Sequence, residues 1–486
     1  MALVSVLVIP IYIKYMGIEA YGLVGFFVVL QSIFNFLDIG LTPTVSRESA
    51  RYRAGNINIY GYRYLIRTLE RIFSFIGVFV LLVLLSLSEI IAVDWLNIDS
   101  LSILEVKTSV QLMITIVFMR WIGGLYKAII NGSEHIVWLS SFNSIIATIK
   151  FIGIIFVLKF IGATPVIFFS YQASLAFIEL IVLIFYSYSI MPKVERSVHF
   201  SWSIAPIRPV IKYALSIALT SSIMIFVTQL DKVILSSILS LSKYGYFSLA
   251  VVAASGVMVL SAPVGGSIMP RMAHLEASGK HTELVSLYRK GTQLIVVIVG
   301  SAAIIISIYS EQLLLLWTKD DELTGEVYKI LMLYTIGNGF LAMSAFPYYL
   351  QCAKGHLKLH IIGNLLFGSL FIPFLIWSSI NYGGVGAGYA WLISNVVIFA
   401  LWVPVVHRKF IPEVGLSWYT HDIFKILLPT IVVSLIFRQF LIYFPSAIGG
   451  LLFIFVASII ALITSILLSN NSIIWLKSII FKGERI

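Results

Sequence analysis

The chain has 486 residues, of which 59% are hydrophobic and 11% are charged, and its formal net charge is +11. A mean hydropathy of +1.00 excludes a soluble globular protein of this size and indicates a polytopic membrane protein. In such a protein a positive charge reports on membrane orientation rather than on nucleic-acid binding.

Fourteen apolar segments are candidates for transmembrane helices, which need about 20 residues to cross about 30 Å of hydrocarbon. A transmembrane barrel would instead show alternating strands of about 10 residues, so an all-α fold is predicted. In chain order the segments lie near residues 1–16, 21–46, 72–93, 108–130, 136–160, 165–191, 210–230, 245–268, 291–312, 329–351, 357–380, 384–404, 422–444 and 448–468.

The loops between these segments carry charge asymmetrically. When loops are assigned alternately to two sides, one side has far more basic than acidic residues, and on the other side acidic residues predominate. The positive-inside rule places the basic side in the cytoplasm. Both termini are therefore predicted to be cytoplasmic.

The start of the chain departs from this plan. Only Met1 to Ile13 precede Lys14, too few residues to cross a bilayer, and no basic residue comes before them. Either the first helix is unusually shallow or translation of the native protein begins upstream of Met1, and we favour the second explanation as a hypothesis.

No cofactor or metal is expected. The single cysteine, Cys352, excludes an internal disulfide framework and a cysteine metal cluster. His356 and His360 come nearest to ligand spacing, but their basic surroundings favour a turn between helices. The sequence also lacks a nucleotide-binding P-loop.

The two halves of the sequence match weakly but in order, and both matched arginines begin a long basic cytoplasmic loop. The matched positions are Tyr21-Gly22 with Tyr244-Gly245, Arg47 with Arg271, and Gly55 with Gly279.

This repeat predicts two six-helix lobes, residues 1–205 and 206–410, followed by two accessory helices and a cytoplasmic tail in residues 411–486. An even number of helices per lobe gives both lobes the same orientation, so the repeat is parallel. Transporters with this plan place their site between the lobes.

Four ionisable residues lie well inside apolar segments of the first lobe, namely Asp38, Arg120, Lys150 and Glu179. A charge near the bilayer centre costs about 2.5 to 3.5 kcal/mol, so it normally faces a cavity or a partner. Each shares a helix face with polar or small residues: Gln31, Asn35 and Thr42 with Asp38; Gly123, Gly124 and Lys127 with Arg120; Asn143 and Ala147 with Lys150; Gln172 and Ala176 with Glu179.

These four stripes favour a hydrated cavity, because two acids and two bases would also need their remaining hydrogen bonds satisfied. The alternative is a packed ionic core without a ligand, in which Asp38 or Glu179 pairs with Arg120 or Lys150. The stripes of the second lobe, such as those of Asn338 and Asn395, are neutral.

Arginines cluster after the second apolar segment. Arg51 and those that follow it are explained by positive-inside anchoring. Arg47 differs, because it is nearest the membrane and has a counterpart, Arg271, in the other lobe. Two guanidiniums that converge at a cytoplasmic mouth would suit a phosphate or diphosphate.

Three stretches, "IPIYIKYMGIEAYGLVGFF", "LDIGLTPTVSRESARYRAG" and "QLDKVILSSILSLSKYGYFSLA", carry a family resemblance. They resemble the polysaccharide-export branch of the multidrug/oligosaccharidyl-lipid/polysaccharide superfamily, and more narrowly its O-antigen and capsule repeat-unit flippases. The resemblance is strongest over residues 9–55 and 229–250. After residue 290 it is carried by hydropathy more than by motif.

The resemblance implies a bacterial inner-membrane flippase that is not an enzyme. Its substrate would be an undecaprenyl-diphosphate-linked oligosaccharide, the repeat unit of an O-antigen, capsule or exopolysaccharide, moved to the periplasmic leaflet by alternating access. Its partners would be this substrate, membrane lipids and possible polymerase and chain-length proteins, with no nucleic acid.

The resemblance assigns the substrate-binding role to Arg47 and Arg271 at matching motif positions. Arg120 and Lys150 follow only from their location in the membrane. Since no nucleotide site is visible, an ion gradient or substrate removal would drive transport, and Asp38 and Glu179 are the candidate coupling residues.

Three other function classes remain open at this stage. A cation-coupled multidrug or small-molecule exporter of the same superfamily would favour net acid in its cavity. A membrane polymerase, ligase or glycosyltransferase would need a longer outer loop or domain. A receptor or scaffold without transport is disfavoured by the repeat and its polar stripes.

Overall fold

The computed structural model describes residues 6–37, 40–193, 228–441 and 447–469. These residues form helices joined by short connections, and an isolated bridge pairs Asn97 with Ser240. Contacts divide the chain into two compact units, with the division between Gly245 and Tyr246. The predicted lobe boundaries stay predictions, and the one at residues 205 and 206 lies outside the described residues.

The first unit contains eight labelled helices. They are α1 (Ile9–Met16), α2 (Ile18–Leu37), α3 (Leu41–Arg53), α4 (Ile59–Ser86), α5 (Ile103–Gly132), α6 (Ile136–Phe160), α7 (Pro165–Ile190) and α8 (residues 228–238). A short helical segment, Ser88–Ile90 and Ile91–Trp95, follows α4.

The helix α9 (Leu241–Ala277) begins just before the division between the units. The second unit continues with α10 (His281–Ile308), α11 (Ser310–Thr318), α12 (Asp321–Ala353), α13 (Lys358–Phe410), α14 (Trp418–Phe440) and α15 (Ala447–Leu468). Helix α13 breaks at Gly383, where a φ of 57° interrupts the helical backbone.

Ten helices of the described residues are long and apolar enough to cross a membrane, and Ile18–Phe34 forms a shorter apolar helix. This confirms the predicted all-α, polytopic membrane protein. The number of fourteen helices stays a prediction, since most of the segment near residues 210–230 lies outside the described residues.

A buried carboxylate fixes the loop that precedes α5. The Glu19 side chain is only 5% exposed and accepts the backbone N–H groups of Asp99, Ser100 and Leu101, the shortest of these bonds being 2.8 Å. The Ser100 hydroxyl also donates to it. These bonds satisfy backbone N–H groups that no helix or strand pairs, so Glu19 holds this loop against the start of α2.

The long basic loops predicted after Arg47 and Arg271 are mostly helical. Helix α3 continues to Arg53 before the next helix begins at Ile59, and only three residues separate α9 from α10. Ion pairs three residues apart, such as that between Arg51 and Glu48 at 2.9 Å, stabilise these charged helix ends. The charged residues that were predicted to lie in loops therefore belong to the helices.

The matched glycines Gly55 and Gly279 end α3 and α9 in the same way. Their φ angles are 77° and 68°, and the next N–H donates to a carbonyl five residues before it, at 3.0 Å and 2.9 Å. This is the Schellman motif, which satisfies the last carbonyls of a helix. It recurs after α5 and α12 with Glu134 and Gly355 in the left-handed position.

The other matched glycines, Gly22 and Gly245, make reciprocal contacts. A Cβ on Gly22 would clash with the carbonyl of Leu241, four residues before Gly245, and a Cβ on Gly245 would clash with the carbonyl of Ile18, four residues before Gly22. Such reciprocity is typical of a local twofold arrangement. The absence of both side chains lets the first turns of α2 and α9 cross closely.

We expect Gly245→Ala to destabilise the protein by about 1 to 3 kcal/mol, because the new methyl group requires a backbone shift. Gly256→Ala on the same helix is the matched control, since a Cβ there meets nothing within 4 Å. Thermal unfolding of the detergent-solubilised variants measures the difference. Equal stability of the two variants would contradict the proposed close crossing.

Candidate functional site

The first candidate site is a cluster of charged side chains on α5, α6 and α7. Arg120 and Lys127 lie on α5, Lys150 on α6, and Gln172 and Glu179 on α7. Helix α5 packs along α7, which brings their polar faces together. All three helices belong to the set long and apolar enough to cross a membrane.

Glu179 pairs with Lys127. Lys127 Nζ lies 2.6 Å from Glu179 Oε1, and the Glu179 residue is 8% exposed. The sequence placed Lys127 on the same stripe as Arg120 but did not single it out as a site residue. The pair neutralises the acid, so this carboxylate does not compensate Arg120 or Lys150 by direct contact.

Arg120 is held less firmly. Its Nη2 donates to Gln172 Oε1 at a long 3.4 Å, and its guanidinium lies over the Phe27 ring, 5.5 Å from the ring centroid. A guanidinium has five N–H donors, so this long bond and ring contact leave capacity for an anionic partner.

Lys150 lies in a π-helical turn of α6, Ile149–Gly153. Gln172 Nε2 donates to the Lys150 carbonyl at 3.5 Å, and the Tyr171 hydroxyl donates to the Ile149 carbonyl at 2.8 Å. These side chains satisfy carbonyls that the wider turn exposes. Single π-helical turns occur frequently at functional sites.

The cluster carries an excess of positive charge. Lys127 contacts Glu179, and Gln172 contacts both Arg120 and the Lys150 carbonyl, so three basic residues and one carboxylate share one region. The sequence predicted two acids balanced against two bases. The second acid, Asp38, lies outside the described residues, and the described part of the cluster is therefore cationic.

Arg47 lies on the exposed side of α3. Its Nη1 is 3.7 Å from Glu48 Oε1, while Arg51 Nη1 is 2.9 Å from Glu48 Oε2. The Glu48 side chain is 2% exposed and those of both arginines are 44% exposed. One buried carboxylate thus faces two guanidiniums, which leaves this surface positive.

Arg271 lines a cavity of about 790 Å³ between α9 and α10. One part of the lining is apolar and includes Val264, Ile268 and Leu294. The charged part consists of Arg271, Lys290 and one acid, Glu283, so basic residues outnumber acids by two to one. A cavity with an apolar part and an excess of basic side chains suits an amphiphile with an anionic group. The sequence did not single out Lys290, because only tertiary packing brings it beside Arg271.

The structure therefore brings Arg120, Lys150 and Glu179 together in the first unit. Arg47 also belongs to the first unit, and Arg271 lies in the second. Among the described residues no group of three or more His, Cys, Asp or Glu side chains could hold a metal ion.

Comparisons with known proteins agree with these features. The sequence model described as "Polysaccharide biosynthesis protein" matches residues 1–276. A protein of Shigella flexneri named "Putative O-antigen transporter" is 22% identical over 394 residues, 79% of this chain and 89% of that protein.

Two solved structures share the fold. One is the lipid II flippase MurJ in an inward closed conformation, with a TM-score of 0.73, 14% identity and 97% of each chain covered. The other is an inward-facing multidrug resistance transporter of the MATE family, with a TM-score of 0.66, 13% identity, and 84% of this chain and 96% of that chain covered. Both similarities support the polytopic transporter fold.

We expect Lys127→Met to destabilise the protein by about 3 kcal/mol, because it leaves the buried Glu179 carboxylate without its partner. Glu179→Gln should cost less, since the Lys127 side chain that it leaves behind is 34% exposed. The double variant should recover most of this loss. Arg120→Met is the comparison variant and should lose less stability, since its hydrogen bond is long. Thermal unfolding in detergent checks all four, and single variants as stable as the parent protein would contradict the pairing.

Proposed function

This chain belongs to the polysaccharide biosynthesis protein family, and we propose that it is a flippase for undecaprenyl-diphosphate-linked oligosaccharide repeat units. The substrate would be the precursor of an O-antigen, capsule or exopolysaccharide. It would cross the bacterial inner membrane by alternating access, with both termini of the protein in the cytoplasm and without enzymatic chemistry. The named O-antigen relative and the lipid II flippase fold support this proposal.

The excess of positive charge within the membrane-spanning helices carries the proposal. Three basic residues and one carboxylate share the described cluster of the first unit. A diphosphate that crosses hydrocarbon without a polar environment faces a penalty of tens of kcal/mol. Side chains that replace the water around the diphosphate lower this barrier. Partly buried basic side chains with too few acidic partners are in turn stabilised by a bound anion.

We propose separate contributions from the two units. In the first unit Arg120 and Lys150 would bind the anionic part of the substrate, and Lys127 with Glu179 would position α5 against α7. In the second unit Arg271 would bind phosphate at the polar part of its cavity. Arg47 is proposed to bind phosphate at the exposed side of α3.

We expect Arg47→Ala and Arg271→Ala each to slow transport about tenfold or more, the loss for removing one hydrogen-bonded charge. The measurement is movement of a labelled undecaprenyl-diphosphate oligosaccharide between the leaflets of liposomes that contain the purified protein. Several repeat units are compared, since the preferred sugars are a separate variable.

Arg408→Ala is the matched control for these variants, because Arg408 is exposed and lies outside the described cluster and the Arg271 cavity. Its transport rate should equal that of the parent protein. Loss in all three variants would indicate a general effect of surface charge, and a folded parent protein that moves none of the substrates would overturn the flippase proposal.

Asp38 and Glu179 are the proposed coupling residues. If a proton gradient drives transport, Asp38→Asn should reduce the dependence of the rate on pH, because the amide cannot exchange a proton. For Glu179 the informative comparison is the Lys127→Met, Glu179→Gln double variant against Lys127→Met alone. Transport and pH dependence unchanged from the parent protein in these neutralised variants would remove proton coupling from the proposal.

The alternative is a cation-coupled exporter of drugs or other small molecules, which the likeness to a multidrug resistance transporter favours. The fold is common to flippases and drug exporters and does not distinguish them, whereas the charge of the residues that line the cavity does. An exporter of cations needs net acid in its cavity, whereas the described cluster is cationic. Polymerase and chain-length proteins are proposed partners of the flippase and would have no role for an exporter.

A further inference from the structure

A second cavity of the second unit adjoins the Arg271 cavity and shares Lys290 with it, but Arg271 does not line it. Its volume is about 470 Å³, and it is formed by the first turns of α10, the start of α14 and the last turn of α15. The lining residues are Thr282, Val285, Ser286, Arg289, Lys290, Gln293, His421, Asp422, Lys425 and Leu468. This size is in the range of small-ligand sites.

A buried hydrogen-bond network builds the wall of this cavity. Asp422 is fully buried and accepts from Arg289 Nε at 2.7 Å and from Gln293 Nε2 at 2.6 Å. Ser469 Oγ donates to Gln293 Oε1 at 3.1 Å. The network ties α14 and the residue after α15 to α10, and it fixes the orientation of Arg289.

The charges of the lining do not cancel. Asp422 is the one acidic residue of the described lining, and Arg289 pairs with it. Lys290 and Lys425 add two further positive charges. The cavity therefore has a net positive charge that suits a phosphate group.

An apolar stripe runs along α14 from Lys425. Leu428, Val432 and Leu435 follow it at intervals of three or four residues, so they lie on one helix face. They are 55%, 53% and 46% exposed. In a membrane-spanning helix an exposed apolar face contacts lipid. Lys425 lies at one end of this face, and the apolar residues that follow it form a surface on which an acyl chain can pack.

We propose that this cavity binds the phosphate headgroup of an anionic phospholipid, with one acyl chain along the Lys425–Leu435 face of α14. Basic pockets between membrane-spanning helices bind such headgroups. A free phosphate would use the same cations but would gain nothing from the apolar face. This proposal does not need the transport proposal to be correct, because it requires only a bilayer, although Lys290 also lines the Arg271 cavity.

Native mass spectrometry of the full chain in neutral detergent tests the site. Dioleoylphosphatidylglycerol should bind more tightly than dioleoylphosphatidylcholine, because only the former has a net negative headgroup. Lys425→Gln should weaken phosphatidylglycerol binding about fivefold, the effect of one lysine near an anionic surface. Val432→Ser should weaken binding of the lipid and leave any binding of inorganic phosphate unchanged.

Lys409→Gln is the control, since Lys409 is exposed and outside the lining. It should bind phosphatidylglycerol like the parent protein. Unfolding temperatures without added lipid show that each variant is folded. Equal lipid binding by Lys425→Gln and the parent protein would overturn the site, and displacement of the lipid by an equal concentration of inorganic phosphate would overturn its assignment to a phospholipid.

Discussion

The energetic cost of charge in hydrocarbon constrains the described cluster of the first unit. Arg120, Lys127 and Lys150 lie on helices that cross the membrane, so each cation needs a partner, water or a bound anion. Lys127 obtains its partner from α7, and Gln172 bridges Arg120 to the Lys150 backbone. These contacts leave hydrogen-bond donors of Arg120 free to bind an anion.

The sequence predicted the helices and their polar faces because hydropathy and helical periodicity are local properties. It could not predict which acid meets which base, since that depends on packing between helices. Glu179 was considered as a partner of Arg120 or Lys150, and the structure pairs it with Lys127. The sequence also could not predict the π-helical turn at Lys150, because the side chains that stabilise this turn come from another helix, α7.

The matched glycines show that a weak internal repeat can identify positions with equivalent backbone roles. The pairs Gly22 with Gly245 and Gly55 with Gly279 were identified by position alone, and each pair has equivalent backbone roles. The lengths of the loops after Arg47 and Arg271 were harder to predict. Basic residues indicate where a segment leaves the membrane, but the helix can continue beyond that point. The Asp422 network gave no sequence signal, since α10 and α14 are separated by more than a hundred residues.

The two cavities of the second unit share a wall made by Thr282, Ser286 and Lys290 of α10. A ligand that draws the flexible Lys290 ammonium group into one cavity removes a positive charge from the other. If both cavities bind anions as proposed, thermodynamic linkage makes this effect reciprocal, and occupancy of either cavity would change affinity at the other. The lipid composition of the host membrane would then tune how tightly the Arg271 cavity holds an anion, without any change in the protein itself.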